Sequence, residues 1–251
     1  MPWVETISPN FAARHSLDDD HDVTSVLELL EDTRDRLAGL FPAVPGEVSV
    51  VIHPSDAALT LAQPQLVALR RLTAPAARRY LVGWFGDREI HVLAPRLLAA
   101  HASNVPGSRE MNLLSPAALY TQVVVGLNNR RLPPPFRPGS FGRYVRWAWL
   151  ALGAGQFFSG QTPHARPAIA RRLREGPDPS FPPGVRDAQL LGGTVFDLLA
   201  REEGVAACVE LVLELPRGGA REALRNAFRG RSLAHTEGTW RAQLARGGAS
   251  R

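Results

Sequence analysis

The chain has 251 residues, 45% hydrophobic and 21% charged, enough apolar material to close a core, which excludes disordered and fibrous classes. Its formal net charge of +5 hides a division: residues 1–56 carry 3 Arg against 11 acids, residues 57–174 carry 16 Arg against 3, and residues 175–251 balance. The longest nearly unbroken apolar stretch, Ala148 to Phe158, is about half the roughly 20 residues a membrane-spanning helix needs, and one cysteine excludes an internal disulfide framework.

In chain order, the first element signalled is a helix. The acidic run Asp18-Asp19-Asp20-His21-Asp22 precedes Val23, Val26, Leu27, Leu30, Leu37, Leu40 and Phe41 at three- and four-residue steps, so the acids read as caps and dipole partners rather than as a metal site around His21. Val48 to His53 is β-branched and short, a buried strand. Residues 80–93 read as two strands joined near Gly86-Asp87. After this hairpin the pattern is helical throughout. A helix is expected from Ser115-Pro116 to about Asn128, then a proline-rich connector over Arg131 to Pro138, then one long apolar helix from Ser140 to Phe158. Further helices are expected over Arg166 to Arg174, Leu190 to Glu203, Val205 to Leu215, Ala220 to Phe228, and between Ser232 and Arg246, with a loop at Pro177 to Pro183. The expected class is α+β, a single domain over 1–251: a lobe over 1–130 with a small mixed sheet and an edge hairpin, and a helical lobe over 131–251.

Local motifs for chemistry are few. Zinc requires three or four converging Cys, His, Asp or Glu ligands, yet no two of the seven His are four apart, and residues 111–174 hold no Asp, Glu or Cys and only His164. Cys208 lies in an apolar helical context that suits an inert core thiol. Ser140 and Ser159 lack a nucleophile-elbow pattern. Gly153-Ala154-Gly155 lacks the third glycine and preceding strand of a dinucleotide fingerprint, so it reads as close helix packing. Exclusive use of Arg points to a GC-rich coding sequence, since nucleic-acid binding would use Lys as well.

The order of segments carries more. A helix, the strand Val48 to Ile52, the hairpin Tyr80 to Leu93, the helix Ala118-Leu-Tyr-Thr-Gln-Val-Val-Val-Gly126 and the helix Trp149-Leu-Ala-Leu-Gly-Ala-Gly-Gln-Phe-Phe158 follow one another. This succession resembles the peptidase-MA-like gluzincins, thermolysin-like zinc peptidases with an A-H-E-x-x-H helix followed by a W-L-x-E-G-x-A-E-Y helix. Gly192 to Leu199 and Gly230 to Leu244 are similar to that family's later segments, so the resemblance spans about residues 5–245 and implies a zincin-like α+β fold. By the family mechanism it implies that the two zinc-binding His fall on Thr121 and Val125, the general base on Gln122, the third ligand on Leu152 and a further Glu on Gln156. None of these can bind zinc or activate water as the family does. Neither metal nor other cofactor is therefore expected, and peptide hydrolysis by that mechanism is excluded.

The resemblance also implies that the hairpin edge lines a cleft where an extended peptide could add as a strand. Trp84, Arg88 and His91 are the exposed cleft positions to test, against Trp84 as a core aromatic and His91 as a half-buried strand residue. Arg130, Arg131, Arg137, Arg143 and Arg146 flank the two helices; either they give the cleft a positive mouth, or they pair with Glu28, Glu31, Asp32 and Asp35 of the first helix. The expectation is a catalytically inactive peptidase-like domain binding a peptide or acidic protein partner through the former cleft. The alternatives are a hydrolase built on His91 or His164, and nucleic-acid binding through the Arg-rich middle, which is the less favoured partner. Without a secretory leader or a spanning segment, a cytoplasmic location is expected.

Overall fold

The computed structural model describes residues 3–132 and 138–249. Strands β1 (Trp3–Ile7) and β2 (Phe11–Ser16) form an antiparallel hairpin that periodicity had not flagged, although Trp3, Glu5 and Ile7 alternate with Val4 and Thr6. Helix α1 (Asp20–Ala38) follows a 3-10 turn at Leu17–Asp19, and β3 (Val48–His53) falls where the β-branched run places it. Three short helices come next, α2 (Asp56–Ala62), α3 (Pro64–Leu72) and α4 (Pro75–Arg78), then the hairpin β4 (Gly83–Phe85) and β5 (Glu89–Leu93). The sheet order is β1-β2-β3-β5-β4, with β2, β3 and β5 parallel and an antiparallel strand at each edge.

From there to the end the described chain is helical: α5 (Pro95–Ala100), α6 (Ser108–Leu113), α7 (Ser115–Asn128), α8 (Pro138–Arg146), α9 (Ala148–Phe158), α10 (Thr162–Glu175), α11 (Val185–Glu203), α12 (Val205–Leu213), α13 (Ala220–Ala227) and α14 (Leu233–Ala249). The chain is thus an α+β protein with its mixed sheet in the first half and helices dominating the second. One continuous apolar core joins the two halves, from Phe11 to Leu244. No helix among the described residues is long and apolar enough to cross a membrane.

The single helix expected over Ser140 to Phe158 is two helices. They separate at Trp147, whose φ of −106° and ψ of 19° leave the helical region. No Gly or Pro between Val145 and Trp149 marks the break. Its cause is tertiary: α8 turns so that Tyr144 meets Trp84 and Phe85, with ring centroids 5.8 Å and 6.0 Å apart, and Phe141 approaches Trp84 at 6.5 Å.

Val48, Val50, Ile52, Ile90 and Val92 are fully buried on the sheet face that meets α1 and α7. Gly83 permits the approach of α7, since a Cβ there would lie 2.5 Å from Leu119 Cδ1. Helix α9 lies between α7 and α11, and the glycines read from sequence as packing residues sit at both crossings. A Cβ on Gly153 would stand 2.6 Å from the Gly192 carbonyl carbon, and one on Gly155 would stand 3.0 Å from Ala118 O. Across α10 and α11, Arg172 donates from Nε and NH2 to both carboxylate oxygens of Asp187, at 2.7 Å and 2.9 Å, a buried and fully paired salt bridge. Gly153→Ala must push α9 and α11 apart along backbone rather than flexible side chain. It is expected to lower stability by about 2 kcal/mol, read from the urea midpoint at unchanged slope.

Candidate functional site

Helices α7 and α9 and the edge strand β4 enclose the positions singled out by sequence. Gln122 and Leu152, from facing helices, line one cavity of about 20 Å³ together with Trp84, Tyr144, Gln161 and Gln189. That volume holds about one water molecule. Gln122 Oε1 accepts a 2.8 Å hydrogen bond from the Tyr144 hydroxyl. Burial pushes the Tyr144 phenol well above its ordinary range, so it is a neutral donor. Trp84 Nε1 and Gln161 Oε1 are buried without a hydrogen-bond partner among the described residues.

The other positions onto which the resemblance projects zinc-site residues do not face this cavity. Thr121 is fully buried and donates to Ala117 O at 2.9 Å within its own helix, and Val125 is buried one turn further on. Gln156 turns toward α11: its Nε2 donates to Gln189 O at 2.5 Å and its Oε1 accepts from Gly193 N at 2.7 Å. These bonds tie the glutamine side chain to helix backbone. The residues lining the cavity include no carboxylate, imidazole or thiol group, so the donor set does not fit zinc, which needs three or four such ligands at about 2.0–2.3 Å. Among the described residues no group of three or more His, Cys, Asp or Glu is placed to hold a metal ion.

Two positions expected to be exposed in a cleft are buried. Trp84 is 2% exposed because α8 closes over it with Phe141 and Tyr144. His91, 8% exposed, stacks on His53 with ring centroids 5.2 Å apart, and its Nδ1 lies 2.9 Å from His53 Nε2. Its Nε2 stands 3.1 Å from a Glu89 carboxylate oxygen, close enough for ionic attraction but out of line for a hydrogen bond. By contrast Arg88, in the β4–β5 turn, and Arg143 and Arg146, on α8, are exposed.

Of the remaining basic residues, Arg130 is exposed and Arg131 donates to Leu215 O, whereas Arg137 lies outside the described residues. Pairing with α1 does not absorb this basic group: among the described residues no ion pair joins Arg130, Arg131, Arg143 or Arg146 to α1. Glu31 is occupied instead by Ser8 Oγ at 2.6 Å, Asn10 N at 2.8 Å and Asn10 Nδ2 at 2.7 Å. Burial opposes ionisation of Glu31, but these hydrogen bonds outweigh it and hold the carboxyl below its usual range.

His164 lies on α10 against Gly107, and no hydrogen bond or ion pair joins it to His91 among the described residues. Cys208 is fully buried, and burial pushes its thiol up to about 12, so it is no nucleophile near neutral pH.

No family model, curated protein or solved structure matches this chain. Tyr144, Gln161 and Gln189 carry no local signal, because they reach the cavity from α8, from the residue preceding α10 and from α11, at separations no local spacing encodes. The His53–His91 contact carried a fainter signal, since both sit on strands and only the pairing of β3 with β5 sets them side by side.

Two outcomes follow from these contacts. Tyr144→Phe leaves Gln122 Oε1 buried without its donor and is expected to cost about 1–3 kcal/mol in urea unfolding, most of which Gln122→Leu in the same chain should restore. Burial first, and then the neighbouring His91, lower His53 to about 4. A base whose folded pKa lies below its unfolded value stabilises fully above about pH 6.5 and loses that contribution as pH falls toward 4. Unfolding at pH 4.5 should therefore show about 2 kcal/mol less from this group than at pH 7, and His53→Gln should flatten that part of the pH dependence.

Proposed function

We propose that this chain is a catalytically inactive, metal-free domain of zincin-like architecture that binds an acidic peptide or protein segment. The observation that carries the reading is the pairing of Gln122 with Tyr144 in a water-sized cavity beside the edge strand. The resemblance puts the general base at Gln122 and the third zinc ligand at Leu152, and these two residues face one cavity from α7 and α9 with only neutral groups around them. A neutral hydrogen-bonded pair is a stable occupant of such a place, whereas an unpaired buried carboxylate would cost several kcal/mol, on the order of a broken buried ion pair. Gln122 has no titratable proton with which to activate water.

Burial of Trp84 and β4 beneath α8 moves the binding surface outward from the cavity. Arg143 and Arg146 on α8 and Arg88 in the adjoining β4–β5 turn present exposed guanidinium groups, which suit carboxylates of an acidic segment. Such contacts raise association rates and weaken with salt. The partner is therefore held at the rim rather than threaded through the former cleft.

Two measurements test the proposal. The purified chain, dialysed against zinc, should retain only substoichiometric metal by elemental analysis and cleave no peptide library. A fluorescent oligoglutamate peptide should bind with salt-sensitive anisotropy, and Arg143→Glu with Arg146→Glu should weaken it by about tenfold or more. Stoichiometric zinc whose removal abolishes peptidase activity would overturn the inactive assignment, and an unchanged affinity in the charge-reversed chain would overturn the rim.

A further inference from the structure

The two edges of the sheet are treated differently. Helix α8 closes over β4, whereas β1, at the other end of the strand order, pairs only with β2. The register from Trp3 opposite Ser16 to Ile7 opposite Ala12 runs without a bulge, and no Pro or Lys interrupts β1. Those are the usual devices by which an edge strand is kept from pairing further.

The turn fixes which backbone groups are left free. Ser8 N donates to Phe11 O at 2.8 Å, so this pair exchanges ladder bonds. Bonded and non-bonded pairs alternate along an antiparallel ladder. Thr6 and Val4 therefore bond to Ala13 and His15, and the N–H and C=O groups of Trp3, Glu5 and Ile7 point away from β2. The side chains of the same three residues share one face of the strand. Trp3 is 48% and Ile7 72% exposed, and Glu5 between them is exposed with no ion pair among the described residues, although Arg14 stands opposite it on β2. An incoming strand thus meets apolar, acidic and apolar positions in turn, each with an open donor and acceptor.

Charge selects the occupant. The exposed acids Asp18 and Asp20 follow β2 directly, at the end where Ser16 faces Trp3, and residues 1–56 hold 11 acids against 3 Arg. A second copy of β1 fits poorly, because the antiparallel register that sets Trp3 of one chain opposite Ile7 of the other also sets Glu5 opposite Glu5, and like charges directly opposite are destabilising.

We propose that the β1 edge takes an extended peptide segment of pattern apolar–x–basic–x–apolar as an added antiparallel strand, its basic residue opposite Glu5 and its apolar residues opposite Trp3 and Ile7. Main-chain bonds to the three free residues supply affinity, and the alternate side chains supply the choice of partner. The site stands apart from the proposed acidic-segment rim, since β1 and β4 are opposite edges of the sheet.

The experiment is fluorescence anisotropy of the full chain with the labelled peptide Thr-Ile-Thr-Arg-Thr-Ile-Thr, a version with Glu in place of Arg, and a version of the first N-methylated at the Arg and both Ile. The Arg peptide should saturate below about 1 mM, about fivefold or more tighter than the Glu peptide. N-methylation should weaken it by about tenfold or more, because those three amides are the ones that meet β1. Glu5→Lys should erase the preference for Arg over Glu, and Ile7→Lys, at an exposed position, should weaken the Arg peptide by about fivefold or more. Absence of saturation by about 1 mM, equal affinity of the N-methylated peptide, or unaltered binding in both variants would overturn the proposal. A dimer in sedimentation velocity that Ile7→Lys dissociates would give the edge to a second copy and overturn it too.

Discussion

Backbone-to-backbone packing around α9 is the constraint on which the rest depends. Gly153 and Gly192 bring α9 against α11 with no space for a single Cβ, and Gly155 brings α9 against Ala118 of α7. Helices that approach this closely admit only small residues at the crossing, and the side chains on either side of it must face one another. That is why Gln122 and Leu152 share a cavity and why Gln156 reaches the backbone of α11. The glycines therefore set the geometry of the site as well as the stability of the helical layer.

Within that frame the protein fills its centre with neutral polar groups rather than charge. Gln122 takes a phenol, Gln156 takes backbone groups of α11, and Gln161 donates to Met111 O at 2.6 Å. Each of these amides is buried with at least one partner, which offsets its desolvation. Buried charge is kept where both partners are present, as in Arg172 and Asp187. The water-sized cavity between α7 and α9 is accordingly lined by uncharged groups alone.

The uneven distribution of charge along the chain acquires a spatial meaning from the fold. Glu31 of the acidic helix is spent on the β1–β2 turn, through Ser8 and Asn10, and Asp19 pairs with Arg96 at 2.8 Å. The exposed arginines of α8 and of the β4–β5 turn are left to act outward. A sum over residues would have cancelled the two groups, whereas their placement keeps them apart.

Much of the architecture was legible in the amino-acid order. The β-branched run 48–53, the periodic helix after the acid cluster, the hairpin over 80–93 and the helical second half depend on local periodicity, and local periodicity is written in sequence. So were the absence of carboxylates from residues 111–174 and the packing role of Gly153 and Gly155, because residue type alone decides them. The hairpin β1–β2, the break at Trp147, the burial of Trp84 under α8 and the contact of His53 with His91 were decided only by tertiary structure. Each depends on which elements come to lie side by side, a choice set by core packing between residues distant in the chain, which no local spacing can express.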